Sequence, residues 1–229
     1  MLVSDYDQTF YINDEDIKKN KIIINKFREK GNFFVIATGR SYDDFMKKKN
    51  EYSVEYDYLI INHGATILDK ENNFIFEAKI PNYILNNLKS DLQIEKSERY
   101  FCCSLFESRV DFEYKNLTKI HVKYSDLEYS NKIQNKLEKK YGKFLNVYYV
   151  SGNSIEIISK NTNKSKAIKL LSEKTKVKQE DIYTIGDGYS DIEMVKNFNG
   201  FCMKDSVDEL KKISIKEYES VSDLINEIM

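Results

Sequence analysis

The sequence has little of what secreted or membrane-spanning proteins need. Its three cysteines, Cys102, Cys103 and Cys202, are an odd number without the spacing of a metal site, which indicates reduced thiols in the cytoplasm. The longest apolar runs, such as residues 33–37, are far too short to span a bilayer. Only four residues precede Asp5, the first candidate site residue, so we expect no secretory signal.

Net charge is also nearly absent. The formal net charge is −1, and lysine and glutamate alternate along the chain without forming a basic stripe. We therefore expect a small-molecule partner rather than nucleic acid or membrane, and a monomer or weak dimer.

Apolar residues, by contrast, are plentiful. They make up 41% of the 229 residues, which is enough to bury the core of one large domain or two small ones.

The chain starts with the pattern D-x-D-x-T, in which a short apolar stretch runs into Asp5 and Asp7 and Thr9 follows. Residues two apart on an extended chain point to the same side, so the two carboxylates would crowd one small space. They would repel unless a cation lies between them or one takes a proton, and Mg²⁺ suits such oxygen ligands. One aspartate could then attack while the other moves a proton. The alternative is an acidic strand-to-helix turn that Thr9 caps locally.

The rest of the pattern predicts an α/β fold with an insertion. Apolar strands over residues 32–37 and 57–62 alternate with amphipathic helices, as in a parallel sheet that is covered on both faces. After Pro81, the only proline, the order becomes helix, two strands, helix, two strands, with the alternating polarity of an antiparallel sheet. The βα order then resumes. We predict a Rossmann-like parallel sheet core with helices on both faces, over residues 1–81 and 161–229, and a small inserted α+β domain with an antiparallel sheet, over residues 82–160.

Polar residues collect where the predicted core strands end. Ligands of open parallel sheets bind at the carboxyl ends of the strands. Lys164 opens a helix, where its charge opposes the helix dipole, and an anion in front of it would explain that placement. The strand ends carry the other candidates, which are Asp5, Asp7 and Thr9, then Thr38, Gly39 and Arg40, then Asn62, His63 and Gly64, then Asp187, Gly188 and Asp191.

Together these stretches resemble the four motifs of the haloacid dehalogenase-like superfamily of Mg²⁺-dependent phosphohydrolases. Motifs one to four are matched in order by residues 5–9 (DYDQT), residues 37–40 (ATGR), Lys164, and residues 186–194 (GDGYSDIEM). Order and spacing agree over the whole chain. The insertion resembles a shortened type II cap of the Cof-like phosphatases, and residues 154–157 before Lys164 resemble that branch as well.

The resemblance implies a Mg²⁺ cofactor and a role for each acidic residue. Asp5 would be the nucleophile that becomes an aspartyl-phosphate, and Asp7 would be the general acid and base. The implied metal ligands are Asp5, the main-chain carbonyl of Asp7, and Asp187. Asp191 and Ser190 would support the metal shell.

The resemblance also implies a binding site for a phosphoryl group. Phosphoryl transfer needs in-line positioning and charge neutralisation more than elaborate covalent chemistry. The implied substrate is a small phosphorylated metabolite such as a sugar phosphate. The residues that would hold its phosphoryl group are Thr38, Gly39, Arg40 and Lys164.

Four sites depart from the superfamily pattern, and one of them is residues 202–206 (CMKDS), where Ala-Met-x-Asn-Ala is usual. Gln8 stands where glycine is usual, Ser190 replaces the usual asparagine of motif four, and His63 stands where an Asn-Gly pair is common. None of these changes removes the nucleophile, the acid/base, the lysine or the metal carboxylates, so they bear on substrate range and rate. Two alternatives stay open: a phosphotransferase or phosphomutase of the same superfamily, and a phosphate-binding regulator without turnover.

Four aromatic positions have less definite interpretations. His63 is equally compatible with a contact to substrate and with a satisfied turn histidine. His121 lies in an alternating strand of the insertion, so we expect it at the surface or half-buried. We expect Tyr148 and Tyr149 to pack the sheet of the insertion.

Overall fold

The computed structural model describes all 229 residues, which form two sheets and eight α-helices. The strands are β1 (Leu2–Ser4), β2 (Phe34–Ala37), β3 (Tyr58–Ile61), β4 (Thr66–Asp69), β5 (Phe74–Glu77), β6 (Arg99–Cys103), β7 (Ser108–Val110), β8 (Lys119–Lys123), β9 (Leu145–Val150), β10 (Ser154–Ser159), β11 (Tyr183–Gly186), β12 (Asn199–Met203) and β13 (Glu217–Tyr218). The helices are α1 (Asp14–Glu29), α2 (Tyr42–Tyr52), α3 (Leu85–Leu92), α4 (Leu127–Tyr141), α5 (Lys164–Thr175), α6 (Ile192–Asn197), α7 (Asp208–Lys211) and α8 (Val221–Ile228). None of these helices combines the length and apolarity needed to cross a membrane.

The larger sheet has the strand order β13-β12-β11-β1-β2-β3-β4-β5. Its first six strands in that order pair in parallel, and β4 and β5 continue it as an antiparallel hairpin. Apolar side chains cover both faces. Leu2 packs with helices α1, α2 and α8 on one face, whereas its neighbour Val3 packs with α5, α6 and α7 on the other. Burial on two sides explains why these strands are continuously apolar.

The smaller sheet has the strand order β7-β6-β8-β10-β9 and is antiparallel throughout. Helices α3 and α4 cover one face, where Ile120, Val122, Ile155 and Ile157 are buried. We call this sheet with its two helices the cap; all its elements lie within residues 85–159. The predicted fold class, a parallel core with an inserted antiparallel α+β unit, is confirmed. The boundaries at residues 81/82 and 160/161 stay a prediction.

Two short strands differ from the sequence-based expectation. The pattern predicts two strands between the cap helices, but the structure has three, because β7 pairs with the edge of β6. This strand has three residues, Arg109 within it has a φ of 66°, and its register with β6 shifts at Cys102/Cys103. The core sheet also ends in β13, which has only two residues. Strands this short carry no readable alternation, so the pattern misses them.

Candidate active site

Four charged side chains meet at the carboxyl ends of β1 and β11. The buried Lys164 ammonium lies 2.5 Å from Asp5 Oδ1 and 2.6 Å from Asp191 Oδ1. Asp5, Asp187 and Asp191 each place one carboxylate oxygen within 4.8 Å of the others. We call these four residues the Asp5 cluster. The structure thus brings together residues from motifs one, three and four that are far apart in sequence.

The start of α5 fixes the position of Lys164. The Asn163 side chain accepts a hydrogen bond from Lys166 N and caps the helix, so Lys164 becomes its first residue. Gly64, three residues after the end of β3, has a φ of +102°, and a Cβ there would lie 2.3 Å from Asn163 O. Only glycine lets the two segments pass this closely. Thr162 donates a hydrogen bond to Gly64 O at 2.6 Å and completes the junction.

Asp191 acts as an internal support of the cluster. Its Oδ2 atom accepts hydrogen bonds from Asp187 N at 3.1 Å and Gly188 N at 3.0 Å, while Oδ1 accepts from Lys164. A Cβ on Gly186 would lie 2.5 Å from the Asp191 carboxyl carbon, so glycine makes room for this carboxylate. Both Asp191 oxygens are therefore engaged. Asp187 Oδ1 is oriented separately, by a 2.7 Å hydrogen bond from Thr9 Oγ1.

The electrostatics of the Asp5 cluster favour a bound cation. Burial raises the pKa of Asp5 well above its usual range, and Lys164 opposes this shift only in part. Burial and the neighbouring Asp191 raise the pKa of Asp187 to about 6. Burial alone would lower the pKa of Lys164, but Asp191 and Asp5 outweigh it and keep the pKa above its usual value. Three carboxylates share one ammonium, so the residues present fit a hard divalent cation, with Asp5 and Asp187 as ligands.

Asp7 lies outside the Asp5 cluster, so the expectation that it crowds Asp5 is wrong. Strand β1 ends at Ser4, before the motif, and the chain then turns, with Gln8 at a φ of 60°. Tyr6 is buried in this turn, whereas the side chain of its neighbour Asp7 is 44% exposed. The period of two applies only to an extended chain, which is why the alternation argument fails here.

Arg40 binds the Asp7 carboxylate through both arms of its guanidinium. Nε lies 2.8 Å from Asp7 Oδ2, and Nη2 lies 2.7 Å from Oδ1. Such a bidentate pair fixes the orientation of both side chains. The structure therefore places Arg40 on the general acid/base candidate, and its predicted contact with a phosphoryl group stays a prediction.

Residues 38–40 form the candidate phosphate loop at the end of β2. Thr38 is buried, and its Oγ1 accepts a hydrogen bond from Arg40 N at 3.1 Å. The Thr38 hydroxyl acts as an acceptor in this hydrogen bond, so its proton stays available for a ligand. A Cβ on Gly39 would lie 2.4 Å from the His63 ring, so glycine is needed where the two residues meet.

The cap contributes residues that the motifs do not contain. Phe101, His121, Glu156 and Tyr148 lie side by side across four cap strands, on the face turned toward the core. The Tyr148 ring packs 5.2 Å from the His63 ring, and burial raises the pKa of Tyr148 to about 12. His121 is buried at 8% exposure, so the expectation of a surface or half-buried histidine is wrong. Polar and apolar residues alternate along β8 (Lys119–Lys123), so its polar residues share one face. This alternation is the sequence signal that indicates the polar surface of the cap.

Comparison with known proteins identifies the family of the chain. The family of haloacid dehalogenase-like hydrolases matches the chain over residues 2–108 and 96–223. A protein of Buchnera aphidicola subsp. Baizongia pistaciae, provisionally named a phosphatase, is 28% identical over 100% of this chain and 97% of its own length. A Bacillus subtilis protein named 5-amino-6-(5-phospho-D-ribitylamino)uracil phosphatase is 25% identical over 93% of this chain and 86% of its own.

A solved structure shows the same fold. The protein is from Plasmodium vivax and is provisionally described as a haloacid dehalogenase/Cof-like hydrolase. It matches with a TM-score of 0.87 at 16% identity, over 99% of this chain and 94% of that one. The chain therefore belongs to the haloacid dehalogenase-like hydrolases, as its motifs predict.

Proposed function

We propose that the protein is a Mg²⁺-dependent phosphomonoesterase that hydrolyses a small phosphorylated metabolite in the cytoplasm, as a monomer or weak dimer. The observation that carries the proposal is the buried Lys164 ammonium, which joins Asp5 to Asp191 at the strand ends next to Thr38. This arrangement supplies a nucleophile, a fixed positive charge and a hydroxyl donor in one place. The phosphatase names of two relatives support the same reaction class.

In the proposed reaction Asp5 attacks phosphorus through a carboxylate oxygen. An aspartyl-phosphate forms while the bond to the leaving oxygen breaks, and Asp7 gives that oxygen a proton. Water then attacks the same phosphorus, Asp7 takes a proton from it, and the bond to Asp5 breaks. Arg40 uses one lone pair on each Asp7 oxygen, which leaves the others free for these proton transfers.

The charge on the phosphoryl oxygens is offset by this chain's own groups. Lys164 supplies a buried ammonium that its two carboxylate partners hold in place, and Thr38 supplies its hydroxyl proton. A Mg²⁺ ion held by Asp5 and Asp187 would add Lewis-acid neutralisation of the same charge. Thr9 orients Asp187 for that contact.

The proposed substrate class rests on the cap surface that faces the core. This surface carries hydrogen-bonding groups and aromatic rings, a combination that suits a leaving group rich in hydroxyls, such as a sugar or a sugar alcohol. The name of the B. subtilis relative includes a phosphorylated ribityl chain, which is a phosphate ester of this kind. The partly exposed residues of this surface are Phe101 and Tyr148, which lie beside the buried and mutually paired His121 and Glu156.

The test is phosphate release from a panel of sugar, sugar-alcohol and aryl phosphates, with Mg²⁺ and with excess chelator. We expect turnover only with Mg²⁺.

We also expect the Asp7→Asn variant to be about 10²–10⁴-fold slower on alkyl phosphates and much less impaired on aryl phosphates, whose leaving groups need no proton. Labelled phosphate should be trapped on Asp5 in that variant. Phosphate transfer to an acceptor other than water would favour a phosphotransferase, and phosphate binding without any turnover would favour a regulator.

A further inference from the structure

A buried group of charged and polar residues joins the cap to the core beside the phosphate loop. Glu156 is its centre: Oε1 accepts from Lys119 Nζ at 2.9 Å and lies 3.0 Å from His121 Nδ1, and Oε2 contacts His63 Nε2. All four side chains are at least nine-tenths buried. We call His63, Lys119, His121 and Glu156 the Glu156 cluster. His63 follows β3 of the core, whereas the other three residues belong to cap strands β8 and β10.

This cluster holds one residue of the phosphate loop from two sides. Lys119 Nζ donates a hydrogen bond to Gly39 O at 2.6 Å. The His63 ring occupies the space in which a Gly39 side chain would lie. Glu156 fixes both neighbours, because it binds Lys119 through one oxygen and contacts His63 through the other. The backbone at Gly39 is therefore held by groups that share one cap carboxylate.

The held peptide has a second function in the loop. The Gly39–Arg40 peptide accepts from Lys119 through its carbonyl and donates to Thr38 Oγ1 through its N–H. This N–H donation excludes one of the directions in which the Thr38 hydroxyl proton could otherwise point. The same residue, Arg40, carries the guanidinium that orients Asp7. A rotation of this one peptide would disturb both the phosphate donor and the acid/base candidate.

We propose that Lys119, held by Glu156, is a positioning residue for the phosphate site. It fixes the Gly39–Arg40 peptide, so that Thr38 presents its proton to the phosphoryl group and Arg40 holds Asp7. The assignment rests on the proposed function, because it concerns the same site. Since Lys119 lies in the cap and Gly39 in the core, the phosphate site depends on a contact between the two units.

Stability alone is a weak reason for this arrangement. A buried ion pair is often no more stabilising than well-packed apolar residues of similar volume, because both charges lose their hydration. Burial by itself would raise the pKa of Glu156, but Lys119 and the two histidines outweigh it and hold the pKa well below its usual value. The carboxylate therefore stays charged and keeps Lys119 directed at Gly39. An apolar substitute would fill the volume but would give the loop no hydrogen bond.

The test compares two lysine variants of the cap, Lys119→Met and Lys140→Met. Lys140 is ion-paired with Asp91 at 2.5 Å and is half exposed, so it is a control for the loss of one cap lysine. With an aryl phosphate as substrate, we expect Lys119→Met to lower kcat by about ten- to hundredfold, the value of one charge-assisted hydrogen bond, with a smaller change in KM. The control should stay within about twofold of wild type.

A double-mutant cycle separates positioning from a structural role. In a Thr38→Val background, Lys119→Met should lower kcat by less than it does in wild type, because only the contact of Arg40 with Asp7 remains to be disturbed. The Lys119→Met/Glu156→Gln variant removes both charges. We expect it to recover the unfolding temperature lost in Lys119→Met while its kcat stays low. Recovery of kcat together with stability would show that Lys119 is only structural.

Binding of inorganic phosphate distinguishes this inference from the proposed function. By calorimetry, we expect Lys119→Met to bind phosphate about tenfold more weakly than wild type. If the wild type turns over and Lys119→Met has the same kcat and phosphate affinity, the inference about Lys119 is overturned and the proposed function stands. Fully additive effects in the double-mutant cycle would have the same consequence. Phosphate binding that depends on Lys119 in a wild-type protein without turnover would overturn the proposed function alone. A wild type that neither binds nor hydrolyses phosphate esters would overturn both.

Discussion

The two buried charged groups of this molecule differ in their balance. The Asp5 cluster sets three carboxylates against one ammonium, and burial raises the pKa of Asp5 and Asp187. The Glu156 cluster sets one carboxylate against one ammonium and two histidines, and the pKa of its carboxyl is held low. The first group is incomplete without a cation, whereas the second satisfies its own charge. An excess of charge therefore indicates a ligand, and a balanced set indicates an internal contact.

Removing the charge of Asp5 and removing the charge of Glu156 should change the stability of the fold in opposite directions. The largest effect is expected for Asp5→Asn, because an amide has no anionic oxygen to attack phosphorus, and kcat should fall by more than about 10⁴-fold. The metal-free variant should nevertheless be at least as stable as wild type at pH 7, since a raised pKa means that the charged carboxylate destabilises the fold. Phosphate release and thermal unfolding measure the two effects. Retained turnover would contradict the assignment of the nucleophile.

The matched change in the balanced group, Glu156→Gln, should cost stability. It leaves the Lys119 ammonium buried without its counter-charge, which is typically worth about 3–5 kcal/mol of unfolding free energy. The pKa of Glu156 is lowered in the fold, so its stabilising contribution is full above the ordinary glutamate pKa and is lost as the pH falls through the lowered value. The difference between wild type and variant should therefore shrink below about pH 4. A constant difference between pH 3 and 7, measured by urea unfolding, would show that the charge is not responsible.

Much of the Asp5 cluster could be predicted from the sequence, because each member follows a strand or opens a helix of recognisable pattern. Parallel strands bring their carboxyl ends to one edge, so local signals suffice to place Asp5, Lys164 and Asp187 together. The Glu156 cluster could not be found in this way. It depends on the register of β8 against β10 and on how the cap lies over His63, and neither is encoded by local periodicity. The turn after Ser4 was missed for a related reason, since Gln8 gives no sign of its positive φ.

Mg²⁺ should stabilise the protein through the Asp5 cluster and leave the Glu156 cluster unaffected. The pKa of Asp187 is raised to about 6, so in the metal-free protein this carboxyl lowers stability as the pH rises from about 4 to 6 and has a constant effect above that. Mg²⁺ competes with these protons. The gain in unfolding free energy from Mg²⁺ should therefore grow across the same interval and reach about 2.7 kcal/mol at a hundredfold excess over the dissociation constant.

Thermal unfolding with Mg²⁺ and with chelator, from pH 4.5 to 7.5, measures this gain. The Glu156→Gln variant is the control, because its change lies outside the Asp5 cluster and should leave the Mg²⁺ gain unaltered. The same Mg²⁺ gain at pH 4.5 and pH 7 would contradict the assignment of Asp187 as a ligand.

The smallest expected effect concerns Gln8, which replaces the usual glycine in the turn that follows Asp5. A residue with a Cβ pays about 1–2 kcal/mol to adopt the φ of 60° found at Gln8, and glycine avoids this cost. Glycine in turn loses about 0.5–1 kcal/mol more conformational entropy on folding, which offsets part of the gain. Gln8→Gly should thus raise the free energy of unfolding by about 0.5–1 kcal/mol. The matched control Gln8→Ala keeps the Cβ and should change stability by less than about 0.5 kcal/mol. Because the Gln8 side chain is exposed, kcat should stay within about twofold of wild type in both variants. A large rise in kcat for Gln8→Gly alone would instead mean that the strained turn, and not the charge balance of the Asp5 cluster, limits the reaction.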